Sequence, residues 1–181
     1  MDNQIFVHVG LMKTGTTFLQ NVVFPNLPVN YIRRIRSLKK VSNKQPILIS
    51  DEGLSGSIYH PSDSDGMLNS FTNSVRTIKR CFLDPKLIIC FREPSSFILS
   101  SYKQYIHEGG TKCFKDFFSI HHKKIVTPRD LYFSKYIEIL NDELPKENIF
   151  IYNYETFRSD KEKVLTELLE FIGVGNIENL D

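Results

Sequence analysis

Ile5-Phe6-Val7-His8-Val9-Gly10-Leu11-Met12-Lys13-Thr14-Gly15-Thr16-Thr17-Phe18-Leu19 is the stretch on which the reading of this chain turns. Ile5 to Val9 is a short apolar run of the kind that forms a buried strand. Gly10 and Gly15 follow, with Lys13 between them and Thr16-Thr17 directly after. Leu19, Val22 and Val23 then recur at helical spacing, and Pro25 is expected to stop the helix. Strand, glycine-bounded loop and helix is the arrangement that aims backbone N–H groups and a helix N-terminus at a phosphate. A nucleoside-triphosphate loop reads G-x-x-x-x-G-K-[ST], with its lysine behind the second glycine. Here Thr16 holds that place and Lys13 stands ahead of Gly15. The displaced lysine marks an anion loop of a different kind.

Further along, three more apolar runs read as strands. Pro46 to Ser50 ends in Asp51-Glu52-Gly53, Lys86 to Phe91 ends at Arg92, and Asn148 to Asn153 precedes Tyr154. Helical patterns lie between them. Leu68, Phe71, Val75, Ile78 and Phe82 form one apolar stripe. Pro94 opens a second helix, with Ser96, Ser100, Lys103 and His107 on one face and Ile98, Tyr102, Tyr105 and Ile106 on the packed face. A short helix is expected over Phe114 to Phe118. Thr127-Pro128 reads as an N-cap and first helical residue, ahead of a core face of Tyr132, Phe133, Tyr136, Ile137 and Leu140. Ser159-Asp160-Lys161-Glu162 reads as a capping box for a last helix, which Gly173 closes. Ser55 to Gly66 reads as a surface loop. Tyr31 to Lys40 carries five positive charges, either a solvated face or a receiver for an anionic acceptor.

Strands alternating with amphipathic helices predict an α/β fold. Residues 1–181 are expected to form a single domain, a P-loop nucleotide-binding-like parallel sheet of four to five strands flanked by helices. Ligands on such sheets bind beyond the carboxyl ends of the strands. Gly10 to Thr17, Asp51-Glu52 and Arg92 all fall at such ends and are expected to meet in one cleft.

Composition narrows the class. The chain is 41% hydrophobic and 24% charged, with a net charge of +2, so it is expected to fold and is too balanced to point to nucleic acid. Cys81, Cys90 and Cys113 make no C-x-x-C pair, which favours reduced thiols over a disulfide frame or a zinc site. His121-His122 has no companions at metal-ligand spacing. The first strand begins too near Met1 for a signal peptide, and no apolar run approaches the ~20 residues of a membrane span. A soluble, cytoplasmic protein is the expectation.

Loop N–H groups, Lys13, the Thr16 and Thr17 hydroxyls and Arg92 together form a receptor for a polyanion. A lysine is a compact charge suited to an oxygen that gains charge as a bond breaks. Arg92 offers a fork that matches a second phosphate, and Ser100 lies two helical turns beyond it. Glu52 supplies a base for an acceptor hydroxyl, provided burial or Asp51 raises its pKa.

These residues resemble a known family. GLMKTGTTFLQ is similar to the phosphosulfate-binding loop of sulfotransferases, bacterial members included, that use 3'-phosphoadenosine 5'-phosphosulfate (PAPS). Arg92-Glu93-Pro94 with Ser100 resembles their 3'-phosphate motif. Ile49 to Leu54 resembles the second strand end of the bacterial members and, in placement, the catalytic glutamate of the heparan-sulfate branch. Tyr152 to Glu155 resembles the strand–helix pair that follows. The resemblance implies a sulfotransferase fold and transfer of a sulfuryl group from PAPS to a hydroxyl, or an amine, of a carbohydrate, lipid or small molecule. It implies that Thr14, Gly15, Thr16 and Thr17 hold the 5'-phosphosulfate, that Lys13 stabilises the bridging oxygen, and that Arg92 and Ser100 grip the 3'-phosphate. Glu52 is then the base, with no metal; His8 and His60 are the alternatives, since other branches use a histidine. Many relatives continue into a basic, glycine-containing loop that covers the nucleotide, whereas this sequence ends at Asp181. Lys103 and Arg33 to Lys40 are the cations available to replace it. Two other functions stand beside this one: a P-loop kinase using ATP and Mg²⁺, against which the displaced lysine argues and for which Asp51 is the only candidate magnesium ligand, and a non-catalytic nucleotide-binding protein. Neither the acceptor nor the oligomeric state is specified.

Overall fold

A computed structural model describes residues 4–35, 45–56, 66–120 and 126–175, and its centre is a five-stranded parallel sheet. Strand β1 (Ile5–His8) leads through the glycine-bounded loop into α1 (Thr16–Phe18), then β2 (Asn30–Arg33) and β3 (Ile47–Ser50) follow. Helix α2 (Gly66–Cys81) precedes β4 (Lys86–Phe91), and α3 (Pro94–His107), α4 (Phe114–Phe117) and α5 (Phe133–Glu143) precede β5 (Ile149–Asn153). Helices α6 (Tyr154–Ser159) and α7 (Lys161–Ile172) close the described chain. The strand order is β2-β3-β1-β4-β5. The chain thus leaves β1 toward β3 on one side and returns with β4 on the other. That reversal opens a crevice at the carboxyl end of β1.

The period-2 alternation of the strands divides the core in two. Val7, Ile49, Leu87, Ile89 and Phe91 point to one face, where they pack with Phe71, Val75 and Ile78 of α2, Phe97 of α3 and Tyr136 of α5. Phe6, Leu48, Ile88 and Cys90 point to the other, against Leu19, Val23 and Phe24 and against Leu165, Leu168 and Leu169 of α7. With both faces covered, the central strands read as continuous apolar runs. Arg76 and Lys79 of α2 pair with Glu143 of α5 at 2.9 and 3.1 Å, on the wet side of that helix pair.

Several local expectations change. Tyr31 to Arg33 are neither loop nor helix but the edge strand β2, which pairs with β3 alone. An edge needs little apolar sequence, so two apolar residues followed by arginines suffice. Pro25 does not end the helix ahead of it. The backbone relaxes through a π-type turn (Leu19–Val23) into a 3₁₀ turn (Phe24–Asn26), where Pro25 takes an early position that needs no N–H. Thr127 to Leu131 form a separate capped 3₁₀ turn rather than the start of α5, and Tyr132 is exposed. Ser159 ends the short helix α6, so the cap of α7 is Asp160, whose carboxylate accepts from the Lys163 N–H at 3.2 Å. Ile106 is exposed despite its expected place on the packed face, and Phe97 takes the buried position. The region 57–65, with His60, and residues 36–40 and 121–125, with His121-His122, lie outside the described residues. Among the described residues no helix is long and apolar enough to cross a membrane.

Candidate functional site

The loop between β1 and α1 is shaped by its two glycines for different reasons. Gly15 has φ +82°, a left-handed backbone that costs an L side chain about 1–2 kcal/mol. A Cβ there would also meet the Phe157 ring at 3.2 Å. At Gly10 the reason is space: a Cβ would sit 2.7 Å from Thr16 Oγ1 and 3.2 Å from Glu52 Cγ. Thr14 is buried, and its hydroxyl donates back to the Leu11 carbonyl, which fastens the turn from inside. Ser55 Oγ donates to the Gly10 carbonyl at 2.9 Å, tying the loop to the end of β3.

Above this loop lies a cleft of about 530 Å³, within the ~300–1,000 Å³ range of small-molecule sites. Lys13, Gly15, Thr16, Thr17, Glu52, Arg92 and Ser100 all line it, so the three strand ends do meet in one place. Of the predicted donor-site residues, Thr14 alone is absent from the lining; its side chain is spent inside the turn.

Lys13 has φ +65°, and its ammonium donates to Gln104 Oε1 at 3.2 Å. Gln104 Nε2 in turn donates to Glu108 at 2.7 Å, so a relay from α3 holds the lysine across the cleft. Arg92 is anchored on three sides. Its Nε donates to Ser96 Oγ at 2.7 Å, its Nη1 donates to the Lys13 carbonyl at 2.8 Å, and its plane lies 4.4 Å from the Tyr154 ring centre. The guanidinium is pre-oriented, and its remaining N–H groups are available to an anion. Glu93 turns away to cap α3, accepting from the Ser95 and Ser96 N–H groups at 2.9 and 2.7 Å. A hydrogen bond from the Ser95 hydroxyl, helped by those two N–H bonds, holds its carboxyl below the usual range.

Glu52 sits in the first turn after Asp51. Burial pushes its carboxyl pKa up; a hydrogen bond from Thr16 and the charges of Lys13 and Arg33 pull the other way, while Asp51 adds a small upward push. Asp51 itself is fully engaged, accepting from the Gly53 N–H at 2.9 Å and the Ile35 N–H at 3.0 Å. Its carboxylate caps the turn that carries Glu52. His8 is buried, with Nδ1 2.8 Å from Ser50 Oγ, and lines neither this cleft nor the one beside it. Burial lowers its pKa to about 3. It is a core histidine, with no path to an acceptor. Lys103 is exposed on α3 and does not line the cleft.

Gln104, Glu108 and Tyr154 line the cleft without having been singled out. Gln104 and Glu108 continue the line of Ser96 and Ser100 at steps of four, a signal that helical spacing carries. Tyr154 gave no such signal, because it stacks on Arg92 only through the pairing of β4 with β5.

By sequence, no curated protein matches the chain significantly. By structure, a sulfotransferase from Alicyclobacillus acidocaldarius is similar over 100% of this chain and 86% of its own, with a TM-score of 0.66 and 15% identity. A mouse sulfotransferase complexed with PAP is similar over 99% of this chain and 61% of its own, with a TM-score of 0.61 and 17% identity. A retinol dehydratase in complex with androsterone and inactive cofactor PAP is similar over 96% of this chain and 60% of its own, with a TM-score of 0.54 and 15% identity. At these identities the likeness establishes the fold. The model of the sulfotransferase domain matches residues 2–181, and the chain belongs to that family of sulfuryl-transferring enzymes.

Proposed function

We propose that this protein transfers the sulfuryl group of PAPS to a hydroxyl, or less readily an amine, of a carbohydrate, lipid or small-molecule acceptor. The observation that carries this reading is the convergence of Lys13, the Gly15–Thr17 turn, Arg92 and Ser100 on one cleft, with Glu52 at its border. PAPS supplies an activated sulfuryl group and a stable bisphosphate leaving group. The donor set fits that polyanion: N–H groups of a left-handed turn, two hydroxyls, one ammonium and one pre-oriented guanidinium.

In this reading the turn N–H groups with Thr16 and Thr17 bind the 5'-phosphosulfate, while Arg92 and Ser100 bind the 3'-phosphate. Lys13 exchanges Gln104 for the bridging oxygen, where charge accumulates as the sulfur–oxygen bond breaks. Glu52 takes the acceptor proton. Its elevated pKa makes it a better base than an exposed glutamate, and the Thr16 hydrogen bond aims it at the loop.

A thermal melt with 3',5'-adenosine bisphosphate (PAP), run beside ATP–Mg²⁺, tests the nucleotide. Stabilisation by the bisphosphate is expected, and stabilisation by ATP–Mg²⁺ alone would replace this reading with the kinase. Transfer from ³⁵S-labelled PAPS to a panel of glycans, lipids and phenols tests the reaction. Binding of the bisphosphate with no transfer to any member would favour a non-catalytic nucleotide-binding protein.

A further inference from the structure

Glu52 and Thr17 belong to two clefts at once. On the far side of Glu52 from Lys13 and Arg92 opens a second cavity of about 480 Å³, lined by Gln20, Arg33, Arg34, Ile35, Asp51 and Leu54 among others. It lies over the carboxyl ends of β2 and β3, where the sheet reaches its edge. A base at the wall between two cavities faces the donor from one side and can take a proton from a group delivered on the other. An acceptor seated in the second cavity would reach Glu52 from that side.

Its lining carries two arginines, Arg33 and Arg34, and two carboxylates, Asp51 and Glu52. Asp51 spends both carboxylate oxygens on backbone N–H groups. Arg33 is exposed and steadied by a hydrogen bond from Nη1 to Asn21 Oδ1 at 3.0 Å, and its charge reaches Glu52. Arg34 is exposed at φ +70°, with its N–H donating to the Ser50 carbonyl at 2.9 Å. Among the described residues the non-glycine positive φ values are Lys13, Arg34 and Asp84, so a cation in a left-handed backbone stands in each of the two cavities. Such conformations collect at ligand sites.

We propose that this second cavity is the acceptor subsite, and that Arg33 and Arg34 select an acceptor bearing an anionic group (carboxylate, sulfate or phosphate) beside the attacked hydroxyl. The inference rests on the sulfuryl-transfer reading and narrows its acceptor. Guanidinium forks match all three anions, and their charge also lowers the cost of bringing an anionic acceptor to an anionic donor.

The test uses matched pairs on sugar and phenol scaffolds: a carboxylated, a sulfated and a phosphorylated compound, each beside its neutral parent. Transfer from labelled PAPS is measured for the natural chain and for Arg33→Gln/Arg34→Gln. At least one anionic member is expected to react with kcat/KM about tenfold or more above its parent. The double variant should erase that preference while leaving KM for PAPS and the melting shift from PAP unchanged. Binding of the same pairs to PAP-saturated protein reads the discrimination without turnover. Equal or better use of the neutral parents, or a preference that survives the double variant, overturns the inference. A normal melting shift from PAP with transfer to neutral acceptors only would sink it while sparing the sulfotransferase reading. No melting shift and no transfer at all would remove both.

Discussion

Lys13 is the residue on which the proposed chemistry concentrates, because its ammonium is poised across the donor cleft rather than buried in an ion pair. Lys13→Ala is expected to lower kcat about 10²–10³-fold, the range for loss of one group that stabilises developing charge, with a much smaller change in affinity for PAP. Full transfer by that variant would refute the assigned role. Glu52 carries the pH dependence. Burial favours its protonated form, so its folded pKa lies above the ordinary value and the basic form accumulates only above that raised pKa. Activity should fall as pH drops through it, with the acid limb displaced upward from that of an exposed glutamate. Glu52→Gln should remove that limb and about 10²–10⁴-fold of the rate. The linkage has a second consequence. A carboxyl whose folded pKa is raised loses stability as pH rises through that pKa, so Glu52→Gln should melt no lower than the natural chain at pH 8. A clear drop in Tm there would mean that Glu52 is a structural partner of Thr16 rather than a strained base.

Among the elements, β1 and the turn before α5 hold the most exposed liabilities. His8 of β1 is neutral in the fold with a pKa near 3, against 6.5 unfolded. Its contribution to stability is complete above pH 6.5 and is lost as pH falls toward 3, on the order of 5 kcal/mol over the whole window. His8→Gln should flatten the difference in unfolding free energy across that window, measured by urea denaturation beside the natural chain. An unchanged pH profile would show that the ring is not sealed from water. Asp130 links two elements: its carboxylate accepts from the Thr127 N–H at 3.0 Å, the Thr127 hydroxyl at 2.6 Å and the Met67 N–H at the start of α2 at 2.9 Å. Because it is buried, Asp130→Ala should cost about 3 kcal/mol in the same assay. PAP binding should survive, since neither residue touches the cleft.

For the molecule as a whole, the strand order creates the site by making the chain reverse about β1. A ligand of that crevice bridges β3, β1 and β4, so it should stabilise the entire sheet. At roughly 100 times its Kd, PAP is expected to raise Tm by about 5–10 °C. A rise in Tm that vanishes in Gly15→Ala would tie the effect to the left-handed turn.

The loop, the three buried central strands, the amphipathic helices and Arg92 were legible in the linear sequence because each rests on a local rule: period, glycine placement, or a charge at a strand end. The strand order was not legible, since hydrogen-bonding partners of parallel strands are chosen across crossovers of many residues. That order placed Tyr154 under Arg92 and set Arg33 and Arg34 beyond Glu52. Residue type determined which groups were fit to bind an anion; which of them face the same space was decided by the packing of helices on a twisted sheet, which no local pattern encodes.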